Sequence, residues 1–235
     1  MKIIGMIPAR LGSKRIPLKN IRYMDDRPLI QYPIDIALSS QAVDELWVNT
    51  EDERLGAVIQ KMGARFHKRP VELASDTATN RDFTYEFMKQ HPCDYVVMIN
   101  PTSPLLREDT FKRFVQYILD NDFDVALSVI SEKEETFFQG KPLNFSLEKK
   151  LNSQLLEPIE KIIWALTAWK SSYFIKMQER GLNPVFGYQG KLGRFPIPKD
   201  ESCDLDTEED WRIAEGILQA RKIEAEKRYI HLKSD

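Results

Sequence analysis

Short runs of uninterrupted apolar residues, each followed by a stretch with helical spacing, recur along this chain and constrain its fold more than any other feature. Ile3 to Ile7 precedes Leu29 to Leu38, Glu45 to Asn49 precedes Glu51 to Met62, Tyr95 to Ile99 precedes Thr110 to Leu119, and Val125 to Ile130 closes the series. A run such as Tyr-Val-Val-Met-Ile leaves no polar alternate position, so neither face of its strand meets water and helices must cover both sides. The pattern predicts an α/β domain with a mostly parallel, doubly wound, Rossmann-like sheet, helices on both faces, and ligands bound at the carboxyl ends of the strands.

Helix starts are marked by capping residues. Thr50 stands before the acidic turn Glu51-Asp52-Glu53, Thr79 pairs with Asp82, and Thr207 pairs with Asp210 in the Thr-x-x-Asp form of the capping box. The alternation fails between Ser131 and Ser153, where Glu132 to Glu135 are charged, Phe137 and Phe138 adjoin, and Gly140, Pro142 and Asn144 punctuate. That stretch reads as an excursion from the core, which ends at the strand-like run Lys161 to Trp169. Ser171 or Ser172 then caps a helix before Gly181. The expected division is one α/β domain from 1–130 and 170–235, with 131–169 inserted into it.

Composition narrows the class. A net charge of −2 weakens a nucleic-acid-coating role, so affinity for phosphate has to be local. No apolar run approaches the roughly 20 residues of a membrane span, and mean hydropathy is −0.43. Ile3 to Ala9 contains Pro8 and lacks a basic leader, so it reads as a first strand and not as a signal. Cys93 and Cys203 are far apart, and His67, His91 and His231 show no metal-ligand spacing; a reducing cytoplasm fits.

The most unusual segment is 10–22, in which Arg10, Lys14, Arg15, Lys19 and Arg22 supply five cations and no acid. Following a strand, it lies on the ligand edge, where backbone amides at Gly12 and Ser13 could wrap an anion while the cations neutralise it. A solvated loop that merely aids solubility has the same charge count. Neither Gly-Lys-Ser/Thr order nor Gly-x-Gly-x-x-Gly is present, which disfavours P-loop and dinucleotide readings.

Near the other end, Asp204-Leu205-Asp206 places two carboxylates on one side of extended backbone, with Leu205 facing the core. Such a pair can hold one hard cation, Mg²⁺ or in its stead Mn²⁺, completed by substrate phosphates. An acidic helix start favoured by the macrodipole accounts for Glu208, Glu209 and Asp210 without metal. Joined to the basic loop, the aspartates point to Mg²⁺-nucleotide chemistry.

With these residues in view, the chain resembles the acylneuraminate cytidylyltransferases, or CMP-sialic acid synthetases. Ile7-Pro8-Ala9-Arg10-Leu11-Gly12-Ser13-Lys14-Arg15-Ile16-Pro17-Leu18-Lys19-Asn20 is similar to their N-terminal signature. Arg69-Pro70 with Leu73 to Thr77, Pro101-Thr102-Ser103-Pro104-Leu105, and Asp204 to Asp210 agree in order, covering most of the chain. Enzymes for Kdo, legionaminic and pseudaminic acids share parts of the pattern. The resemblance implies that Arg10, Lys14 and Lys19 meet the CTP phosphates, that Asn20, Ser75 and Arg69 contact the nucleotide, and that Asp204 and Asp206 hold Mg²⁺. Asn100, Thr102 and Ser103 fall on the acceptor side. It also implies that 131–169 is a dimerisation arm and the protein a homodimer, the exposed apolar residues of the arm otherwise forming a patch.

Two departures alter the sugar end. Asn100 replaces the usual Gln, and Trp164-Ala165-Leu166-Thr167-Ala168-Trp169 replaces an Asn-Gly-Ala stretch, which predicts a changed acceptor unless the tryptophans are plain core. The implied reaction moves CMP from CTP to the anomeric hydroxyl of a 2-keto-3-deoxy sugar acid, with pyrophosphate leaving; it needs positioning and charge neutralisation, not a nucleophilic side chain. Arg10, Lys14, Lys19 and Asp206 carry that catalysis. The base is either a metal-activated hydroxyl or an aspartate acting through water, and Arg107 and Arg194 are candidates for the acceptor carboxylate. Partners are then CTP and an acidic sugar, with neither nucleic acid nor membrane. Two other readings stay open: a nucleotide-sugar-dependent glycosyltransferase with an Asp-x-Asp pair, and a non-catalytic nucleotide-binding homologue.

Overall fold

The computed structural model describes residues 1–13 and 15–223. Its strands are β1 (Ile3–Pro8), β2 (Tyr23–Met24), β3 (Arg27–Pro28), β4 (Glu45–Thr50), β5 (Arg65–Lys68), β6 (Tyr95–Ile99), β7 (Val125–Glu132), β8 (Phe137–Phe138), β9 (Lys141–Pro142), β10 (Ile159–Lys170) and β11 (Leu192–Pro196). The helices are α1 (Gln31–Ser40), α2 (Glu53–Lys61), α3 (Asn80–Gln90), α4 (Glu108–Asn121), α5 (Ser171–Glu179) and α6 (Glu208–Arg221). Seven strands form one sheet in the order β11-β7-β10-β6-β1-β4-β5; β2-β3 and β8-β9 are small separate ribbons. All neighbours in the sheet are parallel except β10, which runs against both β6 and β7.

Period-two sorting of the apolar runs divides the core between the two faces. From β1 and β6, Ile3, Ile7, Tyr95, Val97 and Ile99 pack with α1, α2 and α4, while Ile4, Met6, Val96 and Met98 pack with α3 and α5. The sheet is therefore doubly wound, as the uninterrupted runs require. A third cluster of Ile16, Met24, Leu29, Leu105, Leu205 and Trp211 seats α6 against the loop after β1. Burying each such side chain contributes about 1.5–3 kcal/mol before conformational entropy is subtracted.

The capping boxes at Thr79–Asp82 and Thr207–Asp210 are both formed. Two expected caps move. Asp52, not Thr50, caps α2, because its carboxylate accepts from the amides of Arg54 and Leu55. Lys170 occupies the cap position of α5, with Ser171 already inside the helix and no side-chain cap bond made.

The excursion is shorter than the expected 131–169. The chain rejoins the sheet at Ile159, and β10 fills the gap between β6 and β7. Its direction has a simple cause: a chain that leaves the carboxyl end of β7 and returns from that same edge must run antiparallel. The segment 133–158 consequently stands at the ligand edge. The ladder between β10 and β7 slips between Ile162 and Thr167, and the buried Ser128 fills the irregularity. Its hydroxyl donates to Ile163 O at 2.5 Å and accepts from Leu166 N at 3.0 Å. Ala165 O, inside the same bulge, accepts from Asn100 N at 3.0 Å, so the bulge fixes the end of β6.

Ser128→Ala should strip the bulge of both bonds and cost about 1–3 kcal/mol. Chemical denaturation should record that loss with the m-value unchanged.

Candidate active site

The chain passes from β1 outward to β4 and β5, then crosses to β6 on the other side of β1. Such a switch point opens a crevice at the carboxyl ends of the two central strands. A cleft of about 500 Å³ occupies it, lined by Pro8, Arg10, Ser13, Arg15, Lys19, Asn20, Arg69, Asn80, Phe83, Met98, Asn100, Pro101 and Thr102. Seven residues expected from the sequence are among them: Arg10, Ser13, Lys19, Asn20, Arg69, Asn100 and Thr102.

The basic loop is aimed by its backbone. Leu18 adopts a left-handed φ of 53° before the short turn Lys19–Ile21, a conformation costing about 1–2 kcal/mol for a residue with a Cβ. The turn sends Lys19 and Asn20 into the cleft while Leu18 stays exposed. Asn20 Nδ2 donates to Arg10 O at 2.9 Å, and Leu11 N donates to Glu51 at 3.0 Å, which fixes the loop at both ends. A Cβ added at Gly12 would meet nothing within 4 Å, so this backbone lies open to solvent. Lys14 lies outside the described residues.

Asp204 and Asp206 do not line the cleft itself; backbone hydrogen bonds tie their segment to its Lys19 and Thr102 side. Leu205, fully buried, donates its N–H to Thr102 O at 3.1 Å, and its carbonyl accepts from Lys19 Nζ at 2.8 Å. Asp204 and Asp206 flank it and both act electrostatically on Lys19. Burial holds the Lys19 ammonium below the ordinary lysine value, and the two carboxylates oppose that fall. Arg15 Nη1 meets Asp206 Oδ2 at 2.7 Å. The basic loop and the acidic pair thus share one rim.

Arg69 forms the far wall. Only 3% exposed, it donates from Nε to Asn49 Oδ1 at 2.6 Å and from Nη2 to Asn49 O at 2.8 Å, and its Cζ lies 4.2 Å from the centroid of Phe83. Burial pushes its pKa down to about 10, with Glu51 opposing from further away. A buried guanidinium held by neutral partners is an anion site in waiting. Arg10 reaches across to the neighbouring loop, donating to Ala74 O and Ser75 O at 3.3 Å each and to Asp76 at 3.1 Å. Ser75 is not in the lining; its own hydroxyl donates to Glu72 O at 2.8 Å.

Two acceptor-capable atoms of lining residues, Asn20 Oδ1 and Thr102 Oγ1, are buried without a partner among the described residues. Each costs about 1–3 kcal/mol unless something fills its hydrogen bond, which marks these walls as built for a polar guest.

Ser103 is a correction. It is buried, its hydroxyl donates to Cys203 O at 2.9 Å, and it does not line the cleft, so it stitches the acidic segment to the end of β6. Arg107 and Arg194 are likewise outside the lining, Arg107 bonded to Asp200 and Arg194 to Glu160, each at 2.5 Å. Asn80 and Phe83 at the start of α3 escaped the sequence reading, although the firm capping box at Thr79 marked a helix N-terminus at this edge.

This geometry defines an α/β domain with a cleft at its switch point, walled by the cations Arg10, Arg15, Lys19 and Arg69. The chain belongs to the cytidylyltransferase family, whose model, described as "Cytidylyltransferase", matches residues 4–160. It is 30% identical over 239 residues to the CMP-N,N'-diacetyllegionaminic acid synthase of Legionella pneumophila, covering 93% of this chain and 97% of that one. To N-acylneuraminate cytidylyltransferase A of Danio rerio it is 32% identical over 221 residues, 91% of this chain and 50% of the relative; the chain spans about half the length of several curated relatives. Among solved structures, a CMP:2-keto-3-deoxy-manno-octonic acid synthetase complexed with CTP superposes with a TM-score of 0.72 at 19% identity, over 95% of this chain and all of that one, a likeness of fold.

Because burial lowers the Lys19 pKa and a phosphate guest requires its charged form, affinity for CTP without divalent cation should weaken as pH rises, beginning below the ordinary lysine value of about 10.4. Lys19→Arg should reduce that fall to the part contributed by Arg69, whose pKa is also lowered by burial; calorimetric titration across pH reads both effects.

Proposed function

We propose that this chain transfers CMP from CTP to the anomeric hydroxyl of a sialic-acid-like 2-keto-3-deoxy sugar acid, releasing pyrophosphate. The observation that carries the reading is the shared rim: Lys19 is bonded to Leu205 O at 2.8 Å and stands under the influence of both flanking aspartates. Family membership and the name of the Legionella pneumophila relative, matched along 97% of its length, support the same reaction.

Arg10, Lys19 and the buried Arg69 surround the place of the phosphates, and their fixed charges stabilise the charge that develops on departing pyrophosphate. Asn20 Oδ1 and Thr102 Oγ1 supply unspent acceptors to the bound molecule. Asp204 and Asp206 suit a hard divalent cation: their carboxylates flank a buried Leu205, and 41% of the Asp206 side chain is accessible. Asp204 and Asp206 would hold Mg²⁺ there, and it would supply Lewis-acid neutralisation of phosphate charge. Asn100, one methylene shorter than the glutamine common in the related enzymes, lines the cleft and donates its N–H to Ala165 O of the bulge, whereas Trp164 and the fully buried Trp169 pack with the α3–α5 core and stay outside the lining.

The segment 133–158 carries Phe137, Phe138, Leu143, Leu147 and Leu155 in exposed positions. A second copy covering them would make the protein a homodimer. No helix among the described residues is long and apolar enough to cross a membrane, and the free Cys93 and Cys203 accord with a cytoplasmic setting.

Pyrophosphate release from CTP with Mg²⁺ should depend on one of N-acetylneuraminic, legionaminic, pseudaminic or Kdo acceptors, and Asp206→Ala should lower turnover by at least about a hundredfold while circular dichroism stays unchanged. Release with no acceptor dependence, or an active Asp206→Ala protein, would refute the reading. Light scattering should return twice the monomer mass.

A further inference from the structure

Two cations of the basic loop, Arg15 and Arg22, carry no role in the reaction described above. Arg22 is committed to structure: its guanidinium lies 4.3 Å above the Trp211 ring and pairs with Glu208 at 2.6 Å, joining the loop to α6. Arg15 is placed otherwise. It lines the cleft, 69% of its side chain is exposed, and Nη1 sits 2.7 Å from Asp206 Oδ2.

That pair contributes little to holding the fold, because both backbones are anchored without it. Asp206 N donates to Asp210 Oδ2 at 3.1 Å, and Leu205 before it is fully buried. Ile16, which follows Arg15, is fully buried in the cluster under α6. Two solvent-accessible side chains of opposite charge therefore extend from two anchored stretches of chain, at the rim where nucleotide and cation would enter.

We propose that Arg15 is a place-holding counter-ion for Asp206, which yields the carboxylate to the divalent cation arriving with the triphosphate and then moves onto the phosphates. The proposal rests on the reading of Asp206 as a metal ligand. A guanidinium at 2.7 Å and a divalent ion at its coordination distance of about 2.0–2.1 Å compete for one carboxylate oxygen, and their positive charges repel. Metal entry displaces Arg15, and the nearest new acceptors on the cleft side are the phosphate oxygens of the guest, which a planar guanidinium can take two at a time. Asp206 is thus never left as an uncompensated charge, and Arg15 is never left unpaired. The exchange couples metal to nucleotide: cation alone must compete with Arg15, while cation with triphosphate gives Arg15 somewhere to go.

The test compares wild type, Arg15→Gln and Asp206→Asn by the paramagnetic resonance signal of free Mn²⁺ during titration without nucleotide, and by calorimetry of CTP with and without Mn²⁺. Exposed ion pairs are weak, so Arg15→Gln should bind Mn²⁺ alone about three- to fivefold more tightly than wild type. The same variant should bind CTP with Mn²⁺ about tenfold less tightly, having lost a charged phosphate donor. If Asp206→Asn weakens Mn²⁺ binding but Arg15→Gln changes neither titration, Asp206 remains a ligand and the exchange is wrong. If Asp206→Asn binds Mn²⁺ as wild type does, the metal reading itself falls and takes this one with it. Absence of Mn²⁺ uptake by Arg15→Gln throughout the millimolar range counts equally against the exchange.

Discussion

The backbone of one buried leucine holds this site together. Leu205 is gripped on its amide side by Thr102 at the end of β6 and on its carbonyl side by Lys19 from the loop after β1. Three stretches that are far apart in the sequence meet at that peptide, and the charges that define the cleft are carried on either side of it. Side-chain hydrogen bonds could be exchanged in many ways; a main-chain amide and carbonyl in a segment fixed by core burial offer one register. The Lys19 ammonium is consequently half-sunk, short of water and dependent on nearby carboxylates, a state that favours replacement of those contacts by a more highly charged guest.

Two of the seven buried side-chain polar atoms that lack a partner among the described residues line the same cleft. Asn20 Oδ1 and Thr102 Oγ1 are those two atoms, and Arg69 is bonded to a neutral asparagine. A fold stabilised by the packing of some fifty apolar side chains tolerates a few such costs, and a bound guest would offset the two that line the cleft.

The double winding was legible in the apolar runs because parallel strands covered on both faces cannot hide their composition: Ile3 to Ile7 and Tyr95 to Ile99 became the two central strands. Meeting of the basic loop and the acidic pair followed from the carboxyl-end rule together with a charge anomaly in an otherwise balanced chain. Other features were silent for physical reasons. Asp52 took the cap of α2 from Thr50 by two amide bonds that no pattern distinguishes in a run of three acids. The partnership of Arg69 with Asn49 joins adjacent strands across twenty residues, and only the polar Asn49 at the end of an apolar strand hinted at it. Ser103 lay within a motif yet turned its hydroxyl inward, since a motif records spacing and not the direction of a side chain.

The reversed direction of β10 reaches beyond the sheet. Because the chain leaves and re-enters at one rim, everything between Glu132 and Ile159 can lengthen, shorten or change sequence while the strands on either side keep their register. Closure entropy for such a loop grows only with the logarithm of its length. The domain therefore carries an adjustable brow over an invariant socket, and divergence among chains of this architecture can be concentrated in a part whose alteration leaves the folding core intact.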